Sequence, residues 1–160
     1  MTATIISIDA MGGDHGPEIT VPALALALDA HPNVEFLIYG DQAAIGPYLH
    51  KFKKLKAVST VVHCEMSIAM DAKPSNALRQ GRKVSGMWQS IDAVKSDAAH
   101  ACVSAGNTGA LMAMAKIILR TLPGIERPAI ACMWPTLRGE SVVLEVGANI
   151  GGTGSQYSQF

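Results

Sequence analysis

Short apolar runs rich in β-branched residues recur along this chain, and segments with helical periodicity separate most of them. Strands buried on both faces of a parallel sheet have this continuous apolar character, and parallel strands need helical crossovers between them. The alternation therefore predicts a three-layer α/β/α fold with a mostly parallel sheet. The predicted strands are Thr4–Ile8, Val34–Gly40, Ala57–His63, Ala101–Gly106, Ala129–Met133 and Ser141–Gly147.

Helical patterns follow the first, second and fourth predicted strands, in "PALALALDA", "DQAAIGPYLHKF" and "NTGALMAMAKIILRTL". Asp41 is a suitable N-cap for the second of these helices. Between Asp71 and Ser96 we expect two successive helices broken near "VSG", and we expect Ser75 or Asn76, directly after Pro74, to cap the first of them.

The end of the chain departs from the alternation. The segment "PTLRGES" between the last two predicted strands is short enough for a hairpin, which predicts one antiparallel strand there. After the last strand the chain runs "NIGGTGSQYSQF" and stops where another helix is expected. We therefore interpret residues 1–160 as the N-terminal portion of one larger α/β/α domain, with no internal boundary and an incomplete sheet.

Charge and cysteine content exclude several functional classes. The 13 basic and 13 acidic residues balance, so no overall basic field attracts nucleic acid. The three cysteines are far apart and form no C-x-x-C motif, which argues against a disulfide framework or a zinc site and favours a reducing cytoplasmic setting. No apolar segment approaches the ~20 residues of a membrane span.

The loop "DAMGGDHGP" at the end of the first strand is the first candidate site. Gly12 and Gly13 allow the backbone to approach an anion closely, and Pro17 is suited to begin the next helix. The polar candidates in this loop are Asp9 and Asp14, which can anchor it by accepting N–H bonds, and His15, which can donate to an anion or move a proton. An ordinary capped strand-to-helix turn is the alternative.

The loop "VSAGNTGAL" at the end of the fourth strand is the second candidate. Small residues, hydroxyls and free N–H groups at the start of a helix are what a phosphate or carboxylate needs. The loop lacks the G-K-[ST] of a P-loop, and ordinary N-capping by Asn107 or Thr108 is the alternative. The candidate residues are Ser104, Gly106, Asn107, Thr108 and Gly109.

A helix terminus needs help to hold an anion. Its dipole contributes ~0.3–1 kcal/mol at the surface, whereas millimolar affinity requires ~4 kcal/mol. Arg79 and Lys83, four residues apart on one predicted helix, are the candidate cations. A third polar position, Asn149 after the last strand, offers an amide to a ligand or to a neighbouring loop.

Six segments together resemble, in order and spacing, the N-terminal half of the PlsX family, the acyl-acyl carrier protein:phosphate acyltransferases. The pair "DAMGGDHGP" and "SAGNTGA" is the most specific part of the resemblance, which covers nearly all of the chain. The segments are "IDAMGGDHGPE", "GDQAAIGPYL", "MSIAMDAKPSNALR", "VSAGNTGAL", "GIERPAIA" and "VVLEVGAN".

The resemblance implies an enzyme that transfers a long-chain acyl group from acyl carrier protein to inorganic phosphate. The acyl phosphate product would feed a membrane glycerol-3-phosphate acyltransferase. The fold is expected to resemble isocitrate dehydrogenase and phosphotransacetylase, in a cytoplasmic homodimer that contacts the membrane peripherally through a C-terminal half not included in these residues. Neither a cofactor nor a metal is expected.

Phosphate is itself a nucleophile, so this reaction requires orientation and oxyanion stabilisation rather than a serine or cysteine nucleophile. Under the resemblance, His15, Asn107 and Asn149 are expected to be catalytic, the two glycine loops to bind phosphate, and Asp9 and Asp14 to hold the first loop. A coenzyme A-dependent phosphate acetyl- or butyryltransferase and a non-catalytic anion-binding fragment are the alternatives.

Overall fold

The computed structural model describes residues 3–147 and 151–159. They form two compact units, an N-terminal unit over Met1–Leu119 and a C-terminal unit over Arg120–Phe160. The prediction that both belong to one larger domain stays a prediction. Neither unit contains, among the described residues, a helix that is long and apolar enough to cross a bilayer.

The N-terminal unit is built on a four-stranded sheet with the order β3-β2-β1-β4. All three pairings are parallel, which confirms the predicted α/β architecture. The strand predicted from Ala57 begins two residues later, because a short helix occupies the residues before it. The strands are β1 (Thr4–Asp9), β2 (Val34–Gly40), β3 (Ser59–His63) and β4 (Ala101–Ser104).

Six helices of the N-terminal unit connect or follow these strands. Pro17 occupies the first turn of the first helix, as predicted, where its missing N–H costs nothing. Two separate helices link β3 to β4, and the break between them lies at "VSG", as expected. The helices are α1 (Pro17–Ala30), α2 (Gln42–Leu49), α3 (Lys53–Ala57), α4 (Pro74–Gly81), α5 (Gly86–Lys95) and α6 (Thr108–Leu119).

The predicted caps of α2 and α4 can be compared with the observed helix starts. Asp41 caps α2 by accepting the Ala43 N–H at 2.9 Å, as predicted. The predicted cap of α4 is wrong, because α4 begins at Pro74 and its N-cap residue, Lys73, makes no side-chain cap bond. Ser75 and Asn76 therefore lie inside the first turn rather than ahead of it.

Alternate residues along the strands face two different helical layers. Phe36 and Ile38 of β2 pack in a buried cluster with side chains of α1, α2 and α3. Leu37 and Tyr39, which point the other way, pack with Ala93 of α5. Helices α4 and α6 pack against one another, and α5 packs against α6 and the sheet, to complete that second layer.

The strand order places a topological switch point between β1 and β4. The chain passes from β1 outward to β2 and β3, and then returns to the other side of β1. The loop after β1 leads to α1 in one helical layer, whereas the loop after β4 leads to α6 in the other. Ligands of open α/β sheets bind at such a point, beyond the carboxyl ends of the strands.

The C-terminal unit contains a hairpin, which confirms the predicted antiparallel pairing. The two strands are shifted by about two residues from the predicted ranges, and they pair with each other as a two-stranded sheet. A four-residue helix near the end begins with a capping box formed by Thr153 and Gln156. The elements are β5 (Ala131–Thr136), β6 (Gly139–Leu144) and α7 (Gly154–Tyr157).

Candidate functional site

The two predicted glycine loops lie side by side at the switch point. Asp9 and Ser104, the last residues of β1 and β4, are register partners in the sheet, so the loops leave adjacent strand ends. A Cβ atom on Gly12 would lie 2.7 Å from the Gly106 nitrogen, and one on Gly13 would lie 3.3 Å from the Ala105 oxygen. The loops are thus in backbone contact, which only glycine at position 12 permits.

Two consecutive hydrogen bonds, from Gly106 to Ser104 and from Ser104 to Asp9, hold the two loops together. The Gly106 N–H donates to Ser104 Oγ at 3.0 Å, and Ser104 Oγ donates to Asp9 Oδ2 at 2.8 Å. Asp9 is 4% exposed, and it also accepts the backbone N–H of Met11. These are the contacts that a loop-anchoring role for Asp9 requires.

Burial controls the ionisation of Asp9. Desolvation raises the pKa of its carboxyl group, and the hydrogen bonds from Ser104 and Met11 offset part of that rise. Asp9 lies beneath the loops, since a Cβ atom on Gly12 would sit 3.0 Å from its Oδ2. Its carboxylate therefore supports the backbone of the site rather than facing a ligand.

The side chain of Asn107 is fully engaged at the start of α6. Its Oδ1 accepts the Ala110 N–H at 2.9 Å, which is the capping interaction given above as the alternative to a ligand contact. Its Nδ2 donates to the carbonyl oxygens of Met70 and Ala72, both at 2.8 Å, with a longer contact to Ala69 at 3.4 Å.

Two N–H groups at the start of α6 remain available. Asn107 takes up the N–H groups of Ala110, through its side chain, and of Leu111, through its carbonyl oxygen. The N–H groups of Thr108 and Gly109 have no partner among the described residues. Unpaired first-turn N–H groups combine donors with the positive end of the helix dipole, so this end of α6 suits an anion.

The first loop carries two exposed polar side chains. Asp14 and His15 are both exposed, between the glycines and the start of α1. Gly13 and Gly16 have φ values of 87° and 52°, in the left-handed region that glycine adopts without strain. His15 is therefore presented to solvent on a sharply turning loop at the carboxyl edge of the sheet.

The two predicted cations lie elsewhere on the unit. Arg79 and Lys83 are exposed, and each lines a surface hollow that also contains Ile117. Ile117 is nine residues along α6 from Thr108, which corresponds to about 14 Å at the helical rise of 1.5 Å per residue. The structure thus does not bring Arg79 and Lys83 together with the glycine loops. Asn149 lies outside the described residues.

Sequence reasoning missed a third segment that borders the site, residues 69–74. Its carbonyl oxygens bind Asn107, and Pro74 Cγ would lie 3.0 Å from a Cβ atom on Gly109. The partners are 35 to 38 residues apart in sequence, so no local pattern announces the contact. Residues 69–74 lie within "MSIAMDAKPSNALR", which contributes to the family resemblance, but none of residues 69–74 is among the predicted site residues.

This geometry defines a class of protein: a doubly wound α/β unit with two glycine loops in backbone contact at its switch point. Comparison with known sequences specifies the class further. The family model described as "Fatty acid synthesis protein" matches residues 4–160. The chain therefore belongs to this family, which confirms the resemblance found in its motifs.

Curated relatives agree with the family assignment. The chain is 61% identical over 148 residues to a protein named phosphate acyltransferase from Azorhizobium caulinodans, covering 92% of this chain and 42% of that protein. It is 59% identical over 155 residues to one from Mesorhizobium japonicum, covering 97% and 44%. A third, from Parvibaculum lavamentivorans, is 56% identical over 155 residues, covering 97% and 43%. The chain spans less than half the length of these relatives.

Proposed function

We propose that the protein is a phosphate acyltransferase, which transfers a long-chain acyl group from acyl carrier protein to inorganic phosphate. The relatives are named phosphate acyltransferases, which supports an acyl transfer that involves phosphate. The observation that carries the proposal is the pair of unpaired N–H groups of Thr108 and Gly109 beside two glycine loops at the switch point. The site is built for a small anion that must be held closely by backbone.

In the proposed reaction, a phosphate oxygen attacks the carbonyl carbon of the thioester. The new C–O bond gives a tetrahedral oxyanion, the C–S bond then breaks, and the thiolate leaves and takes up the proton that hydrogen phosphate gives up. The N–H groups of Thr108 and Gly109 orient phosphate, and His15 supplies a further donor to phosphate or to the oxyanion. Holding the nucleophile beside the thioester is the main catalytic task.

The surrounding side chains fit a mechanism in which phosphate, not the protein, is the nucleophile. The Ser104 hydroxyl lies beside the Asp9 carboxylate, but its proton is donated to Asp9 and its oxygen accepts the Gly106 N–H. Ser104 thus holds the two loops together. A direct attack by phosphate needs no covalent acyl-enzyme.

Further parts of the proposal concern the cellular setting. We propose a cytoplasmic homodimer with peripheral membrane contact, whose acyl phosphate product is used by a membrane glycerol-3-phosphate acyltransferase. A product with one hydrophobic chain and one anionic head partitions toward a lipid surface, which is why a membrane-bound consumer suits it. The acyl donor is the element that most needs direct measurement.

One assay tests the proposed activity against its alternatives. The complete gene product is incubated with inorganic phosphate and either acyl carrier protein thioester or coenzyme A thioester, and acyl phosphate is trapped with hydroxylamine. Hydroxamate formed with the carrier protein supports the proposal. Hydroxamate formed only with coenzyme A would favour a phosphate acetyl- or butyryltransferase. Absence of product with both donors would favour a non-catalytic anion-binding protein.

A further inference from the structure

Asn107 connects two parts of the fold that are distant in sequence. Its Nδ2 reaches the carbonyl oxygens of Met70 and Ala72 at 2.8 Å, and its Oδ1 caps α6 through the Ala110 N–H at 2.9 Å. A carboxamide has two N–H donors and one carbonyl oxygen. Both donors are used on backbone oxygens, so Asn107 has no N–H left for a substrate in this arrangement.

The segment that Asn107 holds is itself a turn. The Ala72 N–H donates to the Ala69 carbonyl at 3.1 Å, and α4 follows directly with Pro74. Pro74 Cγ would lie 3.0 Å from a Cβ atom on Gly109, so the start of α4 packs against the first turn of α6. Two independent contacts therefore seat residues 69–74 beside the unpaired N–H groups of α6.

We propose that Asn107 is a positioning residue, which fixes residues 69–74 as a wall of the anion site. The inference rests on the proposed function for its substrate, inorganic phosphate. Asn107 acts on that substrate through the segment and through α6, whereas contact with phosphate belongs to the N–H groups of Thr108 and Gly109. This assignment differs from the catalytic role that the sequence suggested for Asn107.

The test uses two variants that keep the capping oxygen of Asn107 but remove its Nδ2 donor. Asn107→Ser keeps an oxygen suited to capping α6 but is too short to reach the carbonyl oxygens of Met70 and Ala72. Asn107→Asp keeps the size and the capping oxygen but replaces the donor with an acceptor that repels those carbonyls. Asn76→Ser, at an exposed asparagine of α4, is the matched control.

Two measurements on the complete gene product are needed, amide hydrogen exchange and steady-state kinetics with the hydroxamate assay. In both Asn107 variants we expect faster exchange in peptides covering residues 66–74, with α6 exchange in Asn107→Ser close to that of the unaltered protein. The KM for phosphate should rise about tenfold, because residues 69–74 no longer hold their position beside the anion site. The kcat at saturating phosphate should change by less than about threefold. The control should match the unaltered protein in both measurements.

Other outcomes would overturn the inference. Unchanged exchange in residues 66–74 in both variants would show that Asn107 does not hold the segment. A large fall in kcat with an unchanged KM for phosphate would show that the amide contacts the reacting atoms instead. If the unaltered protein forms no acyl phosphate with either donor, the proposed function fails, and the exchange result alone still decides whether Asn107 positions the segment.

Discussion

Ser104 Oγ donates a hydrogen bond to Asp9 Oδ2 at 2.8 Å and joins the ends of two adjacent parallel strands that are 95 residues apart in sequence. The same hydroxyl accepts the Gly106 N–H at 3.0 Å, so the loop after β4 is tied to the end of β1. The unpaired N–H groups of α6 follow directly on this loop. A buried carboxylate thus helps to fix the position of the proposed anion site.

The contact between Gly12 and Gly106 predicts a severe effect of the smallest side chain. In Gly12→Ala the new Cβ atom would lie 2.7 Å from the Gly106 nitrogen, and backbone cannot move aside as a flexible side chain can. We expect a loss of about 1–3 kcal/mol in the free energy of unfolding, the usual range for overpacking. Urea denaturation followed by circular dichroism measures it.

Gly154→Ala provides the control for that measurement. A Cβ atom at Gly154 has nothing within 4 Å, and the residue does not have a positive φ. We expect its unfolding free energy to stay within about 0.5 kcal/mol of the unaltered protein. Equal stability of Gly12→Ala and Gly154→Ala would mean that the two loops are not in backbone contact.

Ser85 and Ser75 differ in a way that tests the observed helix starts. Ser85 is fully buried, accepts the Trp88 N–H at 3.2 Å as the N-cap of α5, and donates to the Gly81 carbonyl at 2.9 Å. We expect Ser85→Ala to destabilise the protein by about 1–2 kcal/mol, since a cap and a buried bond are lost. Thermal and urea unfolding give the value.

Ser75→Ala is the comparison for Ser85→Ala. Ser75 is exposed in the first turn of α4, which has no side-chain cap bond. Its replacement should change the unfolding free energy by less than about 0.5 kcal/mol. A larger loss in Ser75→Ala than in Ser85→Ala would support the original sequence-based cap and contradict the helix start at Pro74.

Local patterns were sufficient for most of the fold. Alternating apolar runs and helical segments predicted the parallel sheet, because each strand and its crossover helix are specified within about 30 residues. Asp41 could be identified as a cap because its target, the Ala43 N–H, lies two residues away. Strand limits were less accurate, since helix α3 ends directly before β3 in a continuous apolar and basic stretch.

The site was predictable only in part. The two glycine loops were identified because both follow strand ends, and parallel topology brings strand ends to one edge. The hydrogen bonds from Asn107 to the carbonyl oxygens of Met70 and Ala72 were not predicted, since they depend on how α4 packs against α6. The prediction that Arg79 and Lys83 share one helix is wrong, because α4 ends at Gly81 and Lys83 lies beyond it with a φ of 65°. Both residues line hollows that contain Ile117.

His15 is predicted to influence phosphate affinity. Its side chain is exposed on the first glycine loop, whose Gly12 and Gly13 contact the second loop. Loss of one hydrogen bond to a charged ligand costs about 1.5–3 kcal/mol, so His15→Ala should raise the KM for phosphate about tenfold or more, or lower kcat if the bond forms to the oxyanion. The hydroxamate assay at varied phosphate measures both constants.

His31→Ala is the matched control for His15→Ala. His31 is also exposed, but it follows the other end of α1, a helix of 14 residues. The helical rise places the two ends about 21 Å apart, so the kinetics of His31→Ala should be those of the unaltered protein. Equal kinetic constants for both variants and the unaltered protein would remove His15 from the site.

The pH dependence of stability should reveal the buried carboxyl of Asp9. Burial raises the pKa of Asp9 above its ordinary value of 3.8, so the folded protein retains a proton that the unfolded chain has already released. The contribution of Asp9 to stability must therefore fall as pH rises from about 3.8 through the raised pKa, and that contribution is greatest below this interval. The slope for one proton is at most about 1.4 kcal/mol per pH unit.

Asp9→Asn isolates this contribution, because the amide cannot ionise and keeps an oxygen that can accept from Ser104. Urea denaturation between pH 4 and about 7 should show that the unaltered protein loses stability relative to Asp9→Asn as pH rises. A constant difference across the range would mean that Asp9 ionises normally. In that case solvent reaches the carboxylate, and the hydrogen bond between Ser104 and Asp9 is not buried as the structure shows it.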